Sequence, residues 1–234
     1  MSASLHSWNV SPAEAVRIQQ DIREKVRLEP FEEPVQYVAG ADISFDRGSD
    51  IFHAGIVVLK FPSLELCGHS LVTTRSTFPY VPGLLSFREM PALLEAWEQL
   101  PAEPDIVVLD GHGIAHPRRL GIASHFGVWV DKPTVGCAKK LLVGMHEALS
   151  VEVKSHAPIY DNQEIVGVAL RSRENVKPIY ISPGHRTDIA SSLSVVDACL
   201  TKYRLPEVTR NAHRLVNELR RGEVEPGVRL YQDM

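Results

Sequence analysis

Asp42 stands inside the apolar run Tyr37-Val38-Ala39-Gly40-Ala41-Asp42-Ile43, and Asp110 ends the run Ile106-Val107-Val108-Leu109-Asp110, directly before Gly111-His112-Gly113. An ionised carboxylate within or at the lip of a sheet core is costly unless a positive charge pairs with it. Neither aspartate has a Lys or Arg immediately beside it in sequence. A divalent cation held by both would relieve the cost, and a cation gripped by two strand carboxylates points to phosphoryl chemistry. Glu89 offers a third carboxylate at the start of a predicted helix. There a capping box with Ser86 is the competing, purely structural reading.

The elements that must position these groups follow from pattern and punctuation. Ser11 caps a helix that opens on Pro12, with Glu14 closing a capping box, and the helix is expected to run to about Val26. Strand-like segments follow at 35–45, 51–61 and 64–75. The short, turn-rich links between them predict an antiparallel meander. A proline-bracketed loop, Phe78-Pro79-Tyr80-Val81-Pro82-Gly83, leads to a helix over 84–100 and a strand over 105–110. A helix near 119–130, strands over 133–138, 164–172 and 178–182, and helices over 187–203 and 207–221 complete the pattern. The long connection after the third strand lets the fourth lie parallel to the first. Asp42 and Asp110 then become neighbours at the carboxyl ends of adjacent strands, where open α/β sheets form ligand sites.

At 234 residues, 44% hydrophobic and 23% charged, the chain can bury one substantial core. No composition shift divides it, so a single domain over 1–234 is expected. The stretch Met1–Trp8 lacks the pattern of a secretory signal, and the apolar runs are too short to cross a bilayer. Cys67, Cys137 and Cys199 are scattered and odd in number, which fits a reducing cytoplasm better than a disulfide framework or a metal knuckle. Residues 1–110 carry 8 Lys and Arg against 16 Asp and Glu, whereas residues 111–234 carry 17 against 13. This asymmetry allows a phosphate-facing surface on a protein whose net charge is −4. Dinucleotide, P-loop, nucleophile-elbow and paired-cysteine motifs are all absent from the sequence.

Six segments together carry a resemblance. They are 40–45 (Gly-Ala-Asp-Ile-Ser-Phe), 79–89 (Pro79 through Glu89), 110–118 (Asp110 through Arg118), 121–125 (Gly-Ile-Ala-Ser-His), 137–142 (Cys-Ala-Lys-Lys-Leu-Leu) and 212–214 (Ala-His-Arg). In type and order the chain resembles the endonuclease V family, deoxyinosine-directed nucleases with a ribonuclease H-like fold. The family's commonest loop reads Pro-Tyr-Ile-Pro, and Val81 stands at its third position here. The resemblance implies a ribonuclease H-like mixed sheet, three antiparallel strands and then parallel ones, flanked by helices. It implies hydrolysis of the second phosphodiester bond 3′ to deoxyinosine in DNA, leaving a 3′-hydroxyl and a 5′-phosphate. Mg²⁺ is the implied cofactor, with Mn²⁺ able to substitute. Inosine-containing RNA is an alternative substrate. The protein is expected to act as a monomer and without a membrane.

The resemblance also implies roles. Asp42 and Asp110 hold the metal, with Glu89 as a further ligand or a partner through water. Lys139 sits near the scissile phosphate, and His213 orients a water or phosphate beside the metal. Tyr80, held by Pro79, Val81 and Pro82, wedges between bases, although a tyrosine covering the core is the plainer reading of the same residue. Gly83, Leu85, Gly111, Gly121 and Ile122 form a base pocket built mainly of backbone, with His116 at its rim or on a phosphate. His112, His125, His146, His156 and His185 read as structural. Two competitors are a non-catalytic nucleic-acid binder, which would have lost a metal carboxylate, and a junction resolvase, which would not carry the Tyr80 loop beside Glu89.

Overall fold

The computed structural model describes residues 5–231; the first four residues of the amino-terminal stretch discussed above lie outside it. Among the described residues, nine strands form one sheet in the order β6-β7-β8-β5-β4-β1-β2-β3-β9. Strands β1 (Tyr37–Ser44), β2 (Ile51–Lys60) and β3 (Glu65–Arg75) are the antiparallel meander. Strand β4 (Ile106–Leu109) lies parallel beside β1, and β5 (Thr134–Ala138) lies parallel beside β4. The mixed sheet with its flanking helices is the ribonuclease H-like arrangement expected from the sequence. No helix among the described residues is long and apolar enough to cross a membrane.

Strand alternation sorts side chains between two helical layers. Val38, Ile106, Val108 and Val135 face helices α4 (Ile189–Ala198) and α5 (Glu207–Arg220), packing with Val196, Val208, Ala212 and Val216. Ala39, Ala41, Val107 and Leu109 face the opposite layer, α2 (Leu85–Glu98) and α3 (Ile122–Val130), packing with Met90, Leu93, Ala123 and Phe126. Asp42 and Asp110 continue the first series, two residues beyond Gly40 and Val108. The same period that fills the core therefore turns both carboxylates toward α5. Helix α1 (Pro12–Arg23) carries the Ser11–Glu14 capping box expected from the sequence.

Several boundaries differ from expectation. Helix α1 stops at Arg23, three residues short, and α3 starts at Ile122 rather than 119. Gly121 caps α3, and a Cβ there would lie 2.2 Å from the His112 carbonyl oxygen, so the preceding loop must pass over a glycine. Helix α4 ends at Ala198, and residues 199–206 form a bent loop in place of the continuous helix to 203. Strand β7 (Glu164–Leu170) falls within the expected 164–172, whereas β8 (Ile179–His185) runs three residues past the expected 182 and lies antiparallel to β5 and β7, where parallel strands were expected. Strand β6 (His156–Asp161) was not anticipated, because Pro158 argues against a central strand; it lies at the sheet edge, where a proline is tolerated. Its hairpin turns on Asn162 and Gln163, both at positive φ, without the glycine that usually marks such a turn. Strand β9 (Gly227–Leu230) is a four-residue edge strand on β3.

Gly40 is where α5 approaches the sheet most closely. A Cβ there would lie 2.1 Å from the Val208 carbonyl oxygen. Gly40→Ala should therefore lower stability by about 1–3 kcal/mol through overpacking, read by urea denaturation; an unchanged midpoint would show that α5 can move away at no cost.

Candidate active site

The parallel pairing of β1 with β4 sets Ala41 opposite Leu109, and the Asp110 amide donates to the Ala41 carbonyl at 3.2 Å. The next residue on each strand is an aspartate, so the two acids are brought side by side by backbone register. From α5, the His213 Nδ1–H donates to Asp42 Oδ2 at 2.7 Å. One ligand atom from each of Asp42, Asp110 and His213 lies within 4.8 Å of the others. Lys139, just beyond the end of β5, forms an ion pair with Asp110. Helix α5 is keyed to β1 a turn further along, where Ser44 Oγ donates to Asn217 Oδ1 at 3.0 Å and Asn217 Nδ2 donates to the His213 carbonyl at 2.7 Å.

Glu89 stands outside that three-residue group because it arrives from α2, on the other face of the sheet. It is near enough to share the field. Burial first, then the charges of Asp42 and Asp110, push its pKa up to about 8, against a smaller opposing effect of Arg88. Part of its surface stays open to solvent, yet the carboxyl is crowded by protein atoms and by like charge. Asp110 is also raised, by burial and by Asp42, with Lys139 and His213 acting against the rise. The His213 pKa is raised chiefly by its hydrogen bond to Asp42. Three acids converge with too little positive charge between them. The Ser86–Glu89 capping box is absent: Leu84 caps α2 without a side-chain bond, and Ser86 Oγ pairs with His125 Nδ1 at 3.0 Å.

Beside the carboxylates, on the α2–α3 side, lies a cavity of about 190 Å³. Gly83, Leu85, Gly111, His116, Gly121 and Ile122 all line it, as do Tyr80, Val81 and Pro82. Tyr80 is 67% exposed, so it does not cover the core. The loop that carries it is anchored on both sides by buried Phe78 and Leu84, and Arg88 Nη1 donates to the Phe78 carbonyl at 3.1 Å. Gly83, at φ +77°, offers a carbonyl that accepts from Gln19 Nε2 at 3.0 Å, His116 Nε2 at 3.0 Å and Arg118 Nη2 at 2.6 Å. His116 is thus a clasp on the rim. Nothing in the neighbourhood of Gln19 marks it as a buried partner of a loop far along the chain, and Arg118, part of the resembling segment 110–118, carries no sign of this contact in sequence. His112, read as structural, also lines the cavity, and its Nδ1 is buried without a protein partner. His125 is fully buried among His6, Trp8 and Phe87 and stays structural.

The Endonuclease V family model matches residues 20–214. The chain belongs to the endonuclease V family. It is 52% identical to the endonuclease V of Rippkaea orientalis over 204 residues, covering 87% of this chain and 89% of that one. The crystal structure of Streptomyces avermitilis endonuclease V superposes with a TM-score of 0.87 at 38% identity, covering 93% of this chain and 97% of that one. Endonuclease V of Ciona intestinalis, 25% identical, has been solved in complex with a 23mer DNA containing an inosine followed by a ribo-adenosine. It superposes with a TM-score of 0.80 and covers 92% of this chain and all of that one.

The crowding of acids in this endonuclease V has a consequence for stability. Glu89 keeps its proton to about pH 8 when folded, against an ordinary value of 4.5. At this group the folded state therefore binds more protons than the unfolded state inside that window, and its contribution to the stability of the metal-free protein falls as pH rises through it. The raised pKa of Asp110 acts in the same direction. From pH 5 to pH 8 in EDTA, the urea midpoint of Glu89→Gln should gain on that of the parent, while the buried histidines with lowered pKa values, His112, His116 and His125 among them, act alike in both proteins. A difference between the two proteins that stays constant or shrinks over this range would contradict the assignment.

Proposed function

We propose that this chain is a metal-dependent DNA repair endonuclease that recognises deoxyinosine and hydrolyses the second phosphodiester bond on its 3′ side, leaving a 3′-hydroxyl and a 5′-phosphate. One observation carries the reading: two aspartates on neighbouring parallel strands meet at one end of the sheet, and Gly111, directly after Asp110, lines a cavity fronted by an exposed tyrosine. The inosine-containing DNA bound by the Ciona relative supports extending the substrate to this chain.

The donor set suits a hard divalent cation. Asp42 and Asp110 supply carboxylate oxygens, and His213 spends its Nδ1–H on Asp42 rather than offering that lone pair. Oxygen ligands favour Mg²⁺, with Mn²⁺ an adequate substitute. Such an ion, when bound, polarises phosphate oxygens and lowers the pKa of a coordinated water. The protein's own groups do the remaining work. His213 fixes the orientation of Asp42. Lys139 offsets the charge of Asp110 and is placed to meet negative charge developing on a phosphate. Glu89, from the opposite face, adds a carboxyl that ionises once a cation joins the site.

Tyr80 holds the gap left by an extruded nucleotide, backed by the rigid Pro79–Pro82 loop and the three-bond clasp on Gly83. The cavity receives the base. Its glycines, Gly83, Gly111 and Gly121, let backbone groups approach a base edge closely. The unpartnered His112 Nδ1 is a polar atom in need of a ligand. A cytoplasmic monomer fits the reading. A strand with a ribonucleotide at the cut is the second reading, favoured by the ribo-adenosine after inosine in the Ciona complex.

Labelled single- and double-stranded oligonucleotides carrying one inosine, with Mg²⁺ or EDTA, test the proposal. Nicking should require Mg²⁺ and map two bonds 3′ of inosine, and Asp110→Ala should lose it by at least about a thousandfold while keeping its fold. An active Asp110→Ala enzyme would remove the metal argument. Tyr80→Ala should reduce the preference for inosine over adenine DNA about tenfold or more, with little change in thermal midpoint; equal affinity of the parent protein for both DNAs would end the pocket argument.

A further inference from the structure

Another of the exposed tyrosines lies on the α5 side of the carboxylates, and nothing in the proposed chemistry uses it. Tyr203 is 40% exposed and belongs to the bent loop 199–206. Two cations crowd its ring: the Arg210 guanidinium carbon lies 4.1 Å from the ring centroid and Lys202 Nζ lies 5.4 Å away.

The loop is built to stay in place. Arg204 spends its guanidinium on three backbone carbonyls: Lys139 at 2.9 Å, Lys177 at 2.9 Å and Pro178 at 2.8 Å. Ser172 Oγ donates to the Arg204 carbonyl at 2.7 Å, and the Glu207 amide donates to the Cys199 carbonyl at 2.8 Å. Arg204 therefore ties the Tyr203 loop to the backbone of Lys139, the residue paired with Asp110. On α5, Arg210 lies one turn before His213, the partner of Asp42. Tyr203 and Arg210 thus continue the surface that starts at the two aspartates. Glu207 pairs with Arg210 and offsets part of its charge. Lys202 is exposed beside the ring, and Lys177, whose carbonyl Arg204 holds, and Lys140, next to Lys139, are exposed as well.

We propose that Tyr203, flanked by Lys202 and Arg210, is a stacking platform for the nucleotides that follow the cut on its 3′ side. This rests on the endonuclease reading above. The base cavity lies in the α2–α3 layer, the carboxylates sit at the sheet edge, and Tyr203 lies with α5 in the opposite layer. A strand with its lesion base in the cavity and its second 3′ phosphate over the aspartates must leave the site on the α5 side. An aromatic ring with adjacent cations suits such a strand, because every base has a face to stack and every linkage a charge to meet. A pre-ordered loop receives it without an ordering cost.

The test is a series of single-stranded inosine oligonucleotides whose 3′ ends lie one to eight nucleotides beyond the cut, with kcat/KM measured in Mg²⁺ for the parent, Tyr203→Ala and Tyr203→Phe. In the parent, kcat/KM should rise with the 3′ extension and level off. Tyr203→Ala should match the parent on the shortest substrate and fall about tenfold behind on the longest, Tyr203→Phe should follow the parent, and thermal midpoints should agree. A loss by Tyr203→Ala that is equal at every length, or absent at every length, overturns the platform while leaving the endonuclease reading intact. A parent that cuts none of the substrates overturns that reading, and the platform with it.

Discussion

Two carboxylates held side by side by backbone register are the constraint around which this structure is arranged. Strands β1 and β4 pair in parallel, and each ends its core-facing series with an aspartate on the same face. Like charges so placed repel one another and are poorly hydrated. The neighbouring groups act to contain that cost. Lys139 comes in from β5, His213 from α5, and the Ser44–Asn217 contact steadies the helix that presents His213. Gly40 lets that helix lie close enough to reach. Even so, burial first and the neighbouring acids second keep the pKa values of Glu89 and Asp110 raised.

The sheet gives this site two unlike sides. On the α2–α3 side a small cavity is rimmed by glycines and closed by the anchored Tyr80 loop. On the α4–α5 side Tyr203 is exposed, with the Arg210 guanidinium over its ring. One side suits a single flat base and the other suits a running strand. The proposed reading uses both, with the reacting phosphate over the carboxylates and the recognised base in the cavity. The rigidity of the sheet edge then sets the distance between recognition and cleavage.

Much of this was legible in the residues. Asp42 and Asp110 showed themselves by interrupting apolar runs, and one topological rule brought them together. The prolines around Tyr80 carried conformational meaning that survives without a structure, whereas the glycines of the cavity were marked out by the family resemblance. The Glu89 position was legible only in part, because a helix-start glutamate following a serine also describes a capping box. What stayed hidden depends on long-range contact. Gln19 looks like any polar residue on an amphipathic helix until its amide is found on the Gly83 carbonyl. The break after Ala198 comes from Arg204 reaching three carbonyls far along the chain, which no helical period reveals. Strand β6 escaped notice because Pro158 is acceptable only at an edge, and a strand's place in the sheet is not written in the strand itself.

The claim that the paired aspartates form a cation site is open to a test that does not depend on turnover. Mn²⁺ binding can be titrated by electron paramagnetic resonance, following the loss of free-ion signal, for the parent protein and for Asp42→Asn and Asp110→Asn. The account predicts a saturable site in the parent, competed by Mg²⁺ and lost or greatly weakened in either variant. Undiminished binding in both variants would contradict it.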